Sequence, residues 1–317
     1  MNSDIKGLKT NEDDIHAGVL CWTDLLADYV SNMDQYWPQA RVTQRDKLRK
    51  CVDKIKTDFH VETDSAAVQA VVELAKSRLE SRPLTIFLIS AGSSGSHWLE
   101  AVLKSAADMI PCGEVYLPQS IFKAMRGLSL ESSSAFLDCI HMIHAERLPA
   151  DVSNVVFVNS AHRSGWRLAE FMSEPKKSIF LKRNPIDIVV SRSFRKPDYY
   201  GQFEQLNHAE FVDHNITYVQ AFYQAAIDAA PDVTVSFEAM RQDLKSVLMQ
   251  IESALDLTFN SDKVRIAVDE LGYIPPDKAS FSKQKTNVYA GPRIEVADAT
   301  KGYIRGKLGD MPMRHGY

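Results

Sequence analysis

Residues 84–98 read Leu-Thr-Ile-Phe-Leu-Ile-Ser-Ala-Gly-Ser-Ser-Gly-Ser-His-Trp. This stretch starts with a short run rich in apolar, β-branched and aromatic residues, which is typical of a buried parallel strand. Small residues follow, and a helical pattern comes next, with apolar residues at Trp98, Leu99, Val102, Leu103 and Ala106. The stretch therefore predicts a strand, a tight turn and a helix in immediate succession.

The same alternation repeats along the chain, as strand-like runs separated by helical stretches. The runs cover 155–158, 178–181 and 233–237, and the clearest amphipathic helical patterns cover 209–229 and 239–255. Strands that alternate with helices form βαβ units, in which the strands are parallel and the helices cover the sheet. We therefore expect an α/β fold with a P-loop-like, mostly parallel sheet flanked by helices.

Residues 1–82 have a different pattern. Apolar residues recur there at spacings of three and four, for instance Leu25, Leu26 and Val30, which predicts helices. The expected organisation is a helical N-terminal extension over 1–82 and an α/β domain over 83–317. The extension either caps a cleft of the α/β domain or forms an oligomer contact.

Composition and charge exclude several classes of protein. The chain has 317 residues, of which 45% are hydrophobic and 25% are charged, as in an ordinary soluble globular protein. Its net charge of −4 creates no basic field that would attract nucleic acid. No apolar run approaches the ~18 residues of a membrane span, the polar N-terminus lacks a signal-peptide profile, and four widely spaced cysteines form no metal or disulfide pattern. We expect a cytoplasmic protein without metal, membrane or nucleic-acid partners.

The small-residue turn over 90–96 is suited to phosphate. Glycines let the backbone curl so that successive N–H groups point inward, and the following helix adds partial positive charge. The Walker A motif needs a Lys after its second Gly, whereas Gly95 is followed by Ser96 and His97. The GxGxxG pattern also fails. The turn is either a nucleotide loop of another type or a tight turn of helix-capping residues.

A second candidate half-site lies at 180–187, which reads Phe-Leu-Lys-Arg-Asn-Pro-Ile-Asp. A strand ends there on a basic pair, and Pro185 is favoured at the first position of a helix. Ser191 follows Arg183 by eight residues. An arginine at the end of a strand can fork onto a phosphate, and a nearby hydroxyl can share that phosphate.

Together these two segments resemble the PAPS-dependent sulfotransferases of cytosolic and bacterial type, where PAPS is adenosine 3′-phosphate 5′-phosphosulfate. That family carries a strand–loop–helix of the form PKSGTTW and a second strand that ends RNPxD, with a Ser eight residues after the Arg. Residues 92–98 keep the Ser, the Gly, a hydroxyl and the Trp of the first motif without its leading Pro-Lys. Residues 183–187 with Ser191 match the second motif in full, and the resemblance spans 84–311.

Three weaker matches follow in the family's order. The family's catalytic His precedes RNPxD by a little over twenty residues, and His162 precedes Arg183 by 21. Residues 237–240, Phe-Glu-Ala-Met, are similar to an aromatic-Glu-Asp-Met motif near the adenine. Residues 305–311 resemble RKGxxGDW without its Trp, and residues 301–302 offer a second register for the RKG.

The resemblance implies a role for each matching residue. The 5′-phosphate would be held by Ser94, Gly95, Ser96 and His97, and the 3′-phosphate by Arg183, Ser191, Arg305 and Gly306. Trp98 either borders the adenine or packs in the core. Phe237 either lies near the adenine or simply ends a strand. Sulfuryl transfer, like phosphoryl transfer, proceeds in line through a loose transition state. His162 is implied as its general base, with His141 and His144 as weaker alternatives.

Ser93 stands where the family has a lysine that stabilises charge on the departing phosphate oxygen. Three outcomes fit the sequence: Ser93 donates a neutral hydrogen bond, His97 or Lys182 supplies the cation, or the activity is weak or absent.

The expected function is transfer of a sulfuryl group from PAPS to the hydroxyl or amine of a small-molecule acceptor, with the 3′,5′-bisphosphate PAP as product. Trp166, Tyr199 and Tyr200 either line the acceptor cleft or pack in the core. The stretch 276–293, which contains Lys278, Lys283 and Lys285, is either a mobile lid or a solvated loop. The alternatives are a catalytically impaired PAP-binding protein and a P-loop small-molecule kinase.

Overall fold

The computed structural model describes residues 21–36, 42–77, 82–148, 155–161, 163–194, 206–273 and 295–317. Within these residues the strands are β1 (Leu84–Ser90), β2 (Ile110–Glu114), β3 (Val156–Ala161), β4 (Lys176–Lys182) and β5 (Val233–Ser236). They form one parallel sheet in the order β2-β3-β1-β4-β5. The predicted α/β fold with a parallel sheet is confirmed.

Helices surround this sheet. The helices described before β3 are α1 (Trp22–Ser31), α2 (Met33–Tyr36), α3 (Val42–Phe59), α4 (Asp64–Lys76), α5 (Ser96–Ala107), α6 (Gln119–Met125) and α7 (Leu130–His144). Those after it are the 3₁₀ helix Arg163–Phe171 and α8 (Pro185–Phe194), α9 (His208–Asp228), α10 (Phe237–Gln242), α11 (Leu244–Leu255), α12 (Ser261–Leu271), α13 (Asp298–Leu308) and α14 (Met311–Arg314).

The register of the central strand β1 determines where the site lies. Ile89 is opposite Ala161 of β3 and Phe180 of β4, so the three strands end at nearly the same level. The turns that follow β1 and β4 therefore emerge side by side at the carboxyl edge of the sheet. This edge is where open α/β sheets bind their ligands.

Alternating side chains of the strands bury both faces of the sheet. Ile86 and Leu88 face a core shared with α5, α11 and α12, whereas Phe87 and Ile89 face a core shared with α7, α8 and α9. Full burial of such a side chain contributes about 1.5–3 kcal/mol. Both faces of β1 are thus fixed, which leaves the turn after it little freedom to shift.

The N-terminal helices belong to the second of these cores. Buried residues of α1, α3 and α4, among them Leu26, Leu48 and Val71, cluster with those of α7. A charged pair lies beside this contact: Arg82 Nε and Nη2 donate to the Asp138 carboxylate at 2.8 and 3.1 Å. The division of the chain at 82/83 stays a prediction, and α1, α3 and α4 pack directly on the α/β part.

Two local predictions differ from the structure, and one strand was not predicted. Phe237 begins helix α10 instead of ending β5. The single helix predicted over 239–255 is two helices, because the Asp243 side chain accepts a hydrogen bond from Ser246 N and starts α11 as a new helix. Strand β2 was not predicted; it contains Pro111 and Gly113, which both weaken a strand pattern.

Two general expectations bear on the environment of the chain. In the described part of the chain no helix is long and apolar enough to cross a membrane. All four cysteines are free thiols, and burial raises the pKa of the thiols of Cys51, Cys112 and Cys139. Cys51 is half-buried and Cys112 and Cys139 are buried, and thiols with a raised pKa are poorly reactive, as expected of structural cysteines.

Candidate active site

The turn between β1 and α5, residues 91–95, is named the phosphate loop here. Ser93 (φ 80°) and Gly95 (φ 96°) both have left-handed backbone conformations, and Ser94 N donates to Ala91 O at 3.0 Å. A Cβ at Gly95 would lie 2.6 Å from Cδ2 of Phe237. The loop is therefore tightly curled and packed against the start of α10, and only glycine fits at position 95.

The phosphate loop is suited to an anionic group. The hydroxyls of Ser93 and Ser94 are buried and have no hydrogen-bond partner among the described residues. Gly95 is the N-cap residue of α5 and has no side chain with which to cap that helix. Two buried hydroxyls and the backbone N–H groups of a helix N-terminus are the donors that a phosphate group requires. The residues present thus fit the 5′-phosphate end of the predicted nucleotide.

The second half-site is the turn Arg183–Asn184 between β4 and α8, named the arginine turn here. Arg183 Nη1 donates to Ser93 O at 2.7 Å, and the guanidinium lies 4.4 Å from the centre of the Phe237 ring. Pro185 is the first residue of α8, as predicted, and Ser191 is buried two turns further along this helix. The structure therefore brings the two predicted half-sites into direct contact.

One phenolic side chain, Tyr223, and one carboxylate side chain, Glu238, hold the backbone of the arginine turn. Arg183 N donates to Tyr223 Oη at 2.9 Å, and the same hydroxyl donates to Arg183 O. Asn184 N donates to Glu238 Oε1 at 3.0 Å, and Tyr317 Oη donates to the other oxygen of Glu238 at 2.9 Å. Burial raises the pKa of Tyr223, so its hydroxyl stays protonated and can donate. The orientation of Arg183 is thus fixed from α9 and α10.

Positive charge accumulates next to this turn. Lys182 Nζ donates to His315 O at 2.9 Å and lies 5.6 Å from the centre of the Tyr317 ring. Burial, together with the charges of Lys182 and Arg314, lowers the pKa of His315. The two cations Lys182 and Arg314 therefore lie close enough to act on His315, and they bring positive charge near the arginine turn.

The two aromatic candidates have different surroundings. Trp98 is 3% exposed, and its Nε1 donates to Leu271 O at 2.8 Å, so its polar edge is satisfied within the core. Phe237 is half-buried, contacts the Trp98 ring edge-on at 5.6 Å between ring centres, and lies beneath Arg183. Phe237 therefore connects the phosphate loop with the arginine turn.

The first turn of α5 carries the remaining loop candidates. Ser96 is buried, whereas the His97 side chain is 68% exposed. His97 Nδ1 lies 3.3 Å from Oε2 of Glu100, a buried carboxylate one turn along the helix. Glu100 thereby sets the orientation of the imidazole at the rim of the phosphate loop.

Arg305 and Gly306 are not brought to the other candidates by any described contact. Both lie in the last turn and a half of α13, and the Arg305 side chain is exposed. A Cβ at Gly306 would meet nothing within 4 Å. No hydrogen bond or ion pair among the described residues joins Arg305 to the phosphate loop or the arginine turn. In the alternative register, the Lys301 side chain pairs with Asp298 at 3.4 Å.

Several predicted positions lie outside the described residues. These are the candidate base His162, Tyr199, Tyr200, and the stretch 276–293. Trp166 belongs to the 3₁₀ helix, but its side chain lies outside the description. In the sequence, His162 directly follows Ala161, the last residue of β3.

The two alternative histidines lie in the core. Burial lowers the pKa of both His141 and His144 to about 3. His141 Nε2 lies 3.0 Å from Nδ2 of Asn159, a fully buried side chain of β3. Both imidazoles are neutral packing residues in this structure.

An open parallel sheet with a small-residue phosphate loop and a facing arginine turn at its carboxyl edge defines a class: nucleotide-dependent group-transfer proteins of the α/β type. Within that class, the sulfotransferase domain family matches residues 83–302. The chain belongs to the PAPS-dependent sulfotransferase family. The match confirms the predicted family, enzyme class and cofactor: the chain is a sulfotransferase that uses PAPS as sulfuryl donor.

Solved structures of similar fold include two sulfotransferases. One is mouse sulfotransferase SULT7A1 complexed with PAP, with a TM-score of 0.43 and 17% identity over 77% of this chain and 90% of that chain. The other is the sulfotransferase domain from the curacin biosynthetic pathway, with a TM-score of 0.40 and 16% identity over 71% of this chain and 97% of that domain. A comparison with curated proteins finds no matching sequence.

Proposed function

We propose that the phosphate loop and the arginine turn bind the two phosphate ends of PAPS and that the acceptor is a small molecule with a hydroxyl or amine. The observation that carries this proposal is the 2.7 Å hydrogen bond from Arg183 to Ser93 O. It unites two segments that the family resemblance assigns to the 5′ and 3′ ends of one nucleotide.

The 5′-phosphate is assigned to the phosphate loop and the first turn of α5. Ser94 supplies a buried hydroxyl that makes no hydrogen bond to the residues described. Gly95 allows the left-handed turn. Ser96 and His97 lie in the first turn of α5, where the backbone N–H groups have no acceptor within the helix. Backbone amides and hydroxyls together neutralise phosphate charge without a bound metal.

The 3′-phosphate is assigned to Arg183 and Ser191, with Arg305 and Gly306 as further candidates. Arg183 carries a charged fork of donors, and its backbone is fixed by Tyr223. Because Gly306 lies inside α13, its amide belongs to the helix, and the Arg305 side chain is the group of this pair suited to reach a phosphate. Phe237 is assigned to the adenine side, whereas Trp98 supports Phe237 from the core.

Bound PAPS would supply an activated sulfuryl group with PAP as the leaving group. The protein's part is to position and to neutralise charge, since the transition state of such in-line transfers is loose. His162 takes the proton from the acceptor hydroxyl or amine. Its place directly after β3 supports this role, because the carboxyl ends of β3 and β1 lie at one edge.

Ser93 and His97 together are proposed to replace the lysine of the family motif. The buried Ser93 hydroxyl has no hydrogen-bond partner in the part of the chain that the structure describes, and it is proposed as a neutral donor. Lys182 is already held by His315 O, whereas His97 is exposed at the loop and oriented by Glu100. Loss of one preorganised donor costs roughly 2.7–4 kcal/mol in other enzymes, so replacement of the lysine by two weaker groups retains part of its effect.

A small-molecule acceptor and a cytoplasmic location are proposed together. Four free thiols, of which Cys112 and Cys139 are fully buried, agree with a reducing compartment. The net charge of −4 gives no reason to expect a strongly anionic polymer as acceptor.

The proposal is tested by calorimetric titration with PAP and, in parallel, with ATP and Mg²⁺, followed by PAPS turnover assays with hydroxyl and amine acceptors. Micromolar or tighter PAP binding without a Mg²⁺ requirement supports the assignment of the site. PAP binding without turnover on any acceptor would favour the catalytically impaired alternative. Binding of Mg·ATP without PAP would contradict the assignment and favour a kinase.

A further inference from the structure

One helix, α9, contacts both halves of the proposed nucleotide site. The hydroxyl of Tyr218 accepts a hydrogen bond from Gly92 N at 3.3 Å, in the phosphate loop. Five residues further along α9, the hydroxyl of Tyr223 holds Arg183 N and O in the arginine turn. The two turns therefore share a common support that lies outside both sequence motifs.

The Tyr218 ring is itself fixed by a buried arginine. The guanidinium carbon of Arg192 lies 4.1 Å from the centre of the Tyr218 ring, and Arg192 is 4% exposed. Arg192 Nε donates to Asn215 Oδ1 at 2.9 Å, and Asn215 Nδ2 donates to Ser193 Oγ at 3.0 Å. These bonds join α8 and α9 and hold the guanidinium over the phenol ring.

The phosphate loop needs such support because its backbone is strained. Ser93 is a non-glycine residue with φ 80°, a conformation that persists only where surrounding contacts impose it. The adjacent residue Gly92 is buried, and its N–H would lose its acceptor without the Tyr218 hydroxyl. The Tyr218 bond thus acts on the strained part of the loop.

We propose that Tyr218, with Arg192 stacked on its ring, is a positioning residue that keeps the phosphate loop in its nucleotide-binding conformation. The proposal rests on the assignment of the phosphate loop to the 5′-phosphate. Without the Tyr218 hydroxyl the loop spends part of its time in other conformations. The apparent affinity for nucleotide then falls in proportion to the fraction of molecules whose loop stays in the nucleotide-binding conformation. Tyr218 acts through Gly92 and is not assigned a contact with the nucleotide.

The test compares Tyr218→Phe with Tyr303→Phe in the full chain. Tyr218→Phe removes only the hydroxyl and leaves the ring for Arg192. Tyr303→Phe is the matched control, because it removes a phenol hydroxyl that donates to Asp213 of the same helix away from the loop. The readouts are the PAP dissociation constant by calorimetry, KM for PAPS against kcat, and amide hydrogen exchange of residues 91–95 without nucleotide.

For Tyr218→Phe we expect about a three- to tenfold weaker PAP affinity, the effect of one hydrogen bond. KM for PAPS should rise more than kcat falls, and amide exchange at 92–94 should accelerate. Tyr303→Phe should change none of these. PAP affinity and loop exchange within twofold of the unsubstituted chain would overturn the proposal, whereas absence of PAP binding by the unsubstituted chain would instead overturn the proposed function.

Arg192→Met tests the second half of the proposal. We expect it to weaken PAP binding by a similar factor, and the double variant Arg192→Met/Tyr218→Phe to lose less than the product of the two single effects. Independent, multiplicative effects would show that Arg192 does not act through Tyr218. Thermal unfolding of each variant separates these effects from a general loss of stability.

Discussion

The guanidinium of Arg183 donates to the carbonyl oxygen of Ser93 across 2.7 Å, so the protein itself joins the phosphate loop to the arginine turn. Phe237 fills the angle between them, in contact with both Gly95 and Arg183. A site whose parts are held together by contacts within the protein loses less conformational entropy when its ligand binds. PAP binding should therefore need little rearrangement of these two turns.

Arg183→Ala is expected to weaken PAP binding by about 1.5–3 kcal/mol, the range for a hydrogen bond to a charged group. The variant removes both a phosphate donor and the link to Ser93. Arg241→Ala is the matched control, because Arg241 also stacks on an aromatic ring, that of Tyr273 at 4.1 Å, but lies outside the site. Calorimetric titration with PAP measures both, and an unchanged affinity in Arg183→Ala would contradict the assignment of the arginine turn.

His162→Ala is expected to lower kcat by about 10²–10⁴-fold, the usual contribution of a general base. PAP affinity should remain near that of the unsubstituted chain, since a base for the acceptor contributes little to nucleotide binding. His60→Ala, an exposed histidine outside the site, serves as control. Full turnover of PAPS by the His162 variant would remove this residue from the mechanism.

Gly95→Ala is expected to impair both folding stability and PAP binding. The new Cβ would lie 2.6 Å from the Phe237 ring at a φ of 96°, so left-handed strain of about 1–2 kcal/mol adds to an overpacking cost of about 1–3 kcal/mol. Gly113→Ala is the control: its φ is 61°, and its Cβ would meet only the flexible end of Lys47 at 3.2 Å. Denaturant unfolding and PAP titration should show a loss of affinity for Gly95→Ala alone.

The buried histidines predict a loss of stability in acid. The pKa values of His141 and His144 are held near 3, chiefly by burial, whereas an unfolded histidine titrates near 6.5. The unfolded chain therefore binds more protons below about pH 6.5, and the free energy of unfolding falls as the pH decreases toward 3, by about 1.4 kcal/mol per pH unit for each histidine. His144→Gln should reduce this slope by about that amount, whereas the exposed control His60→Gln should not. Unfolding free energies between pH 7 and pH 4 measure the difference, and equal slopes would contradict the argument.

Arg82→Met is expected to destabilise the chain by about 3–5 kcal/mol, because it leaves the Asp138 carboxylate buried without its bidentate partner. Burial already raises the pKa of Asp138 even with Arg82 present. The contrast is Arg265→Met, which removes an exposed arginine that pairs with Asp262 and Asp269 at 3.8 Å and should change stability by at most about 1 kcal/mol. Equal losses of unfolding free energy in the two variants, measured by denaturant unfolding, would show that the buried Arg82–Asp138 pair stabilises the chain no more than an exposed pair.

The sequence predicts four of the five described strands because each is a continuous apolar run between turn signals. Strand β2 escapes prediction: Pro111 lacks a backbone donor and Gly113 lacks a side chain, and the strand is tolerated because it forms an edge of the sheet. The boundary at Asp243 is also invisible to periodicity, since the apolar positions on either side continue the same helical pattern.

For the site, the sequence predicts the groups that lie within the two motifs and misses their supports. Arg183 and Ser94 stand out through local spacing. Tyr218 lies 126 residues from Gly92 along the chain, and Tyr317 lies 79 residues from Glu238. No local pattern links such pairs, because their contacts arise only when α9 and the C-terminal residues pack on the sheet edge. For Tyr218 the only local signal is a tyrosine in an amphipathic helical pattern, and aromatic residues that only pack in a core show the same pattern.

The packing of the N-terminal helices on α7 has a further consequence for how the chain unfolds. Because Leu26, Leu48 and Val71 share one hydrophobic core with Phe136 and Ile140 of α7, a fragment beginning at residue 83 would expose that face of α7 to water. Such a fragment would be prone to self-association, and the intact chain should melt in a single cooperative transition. Residue 83 then marks where similarity to the family begins, while the unit of folding begins earlier in the chain.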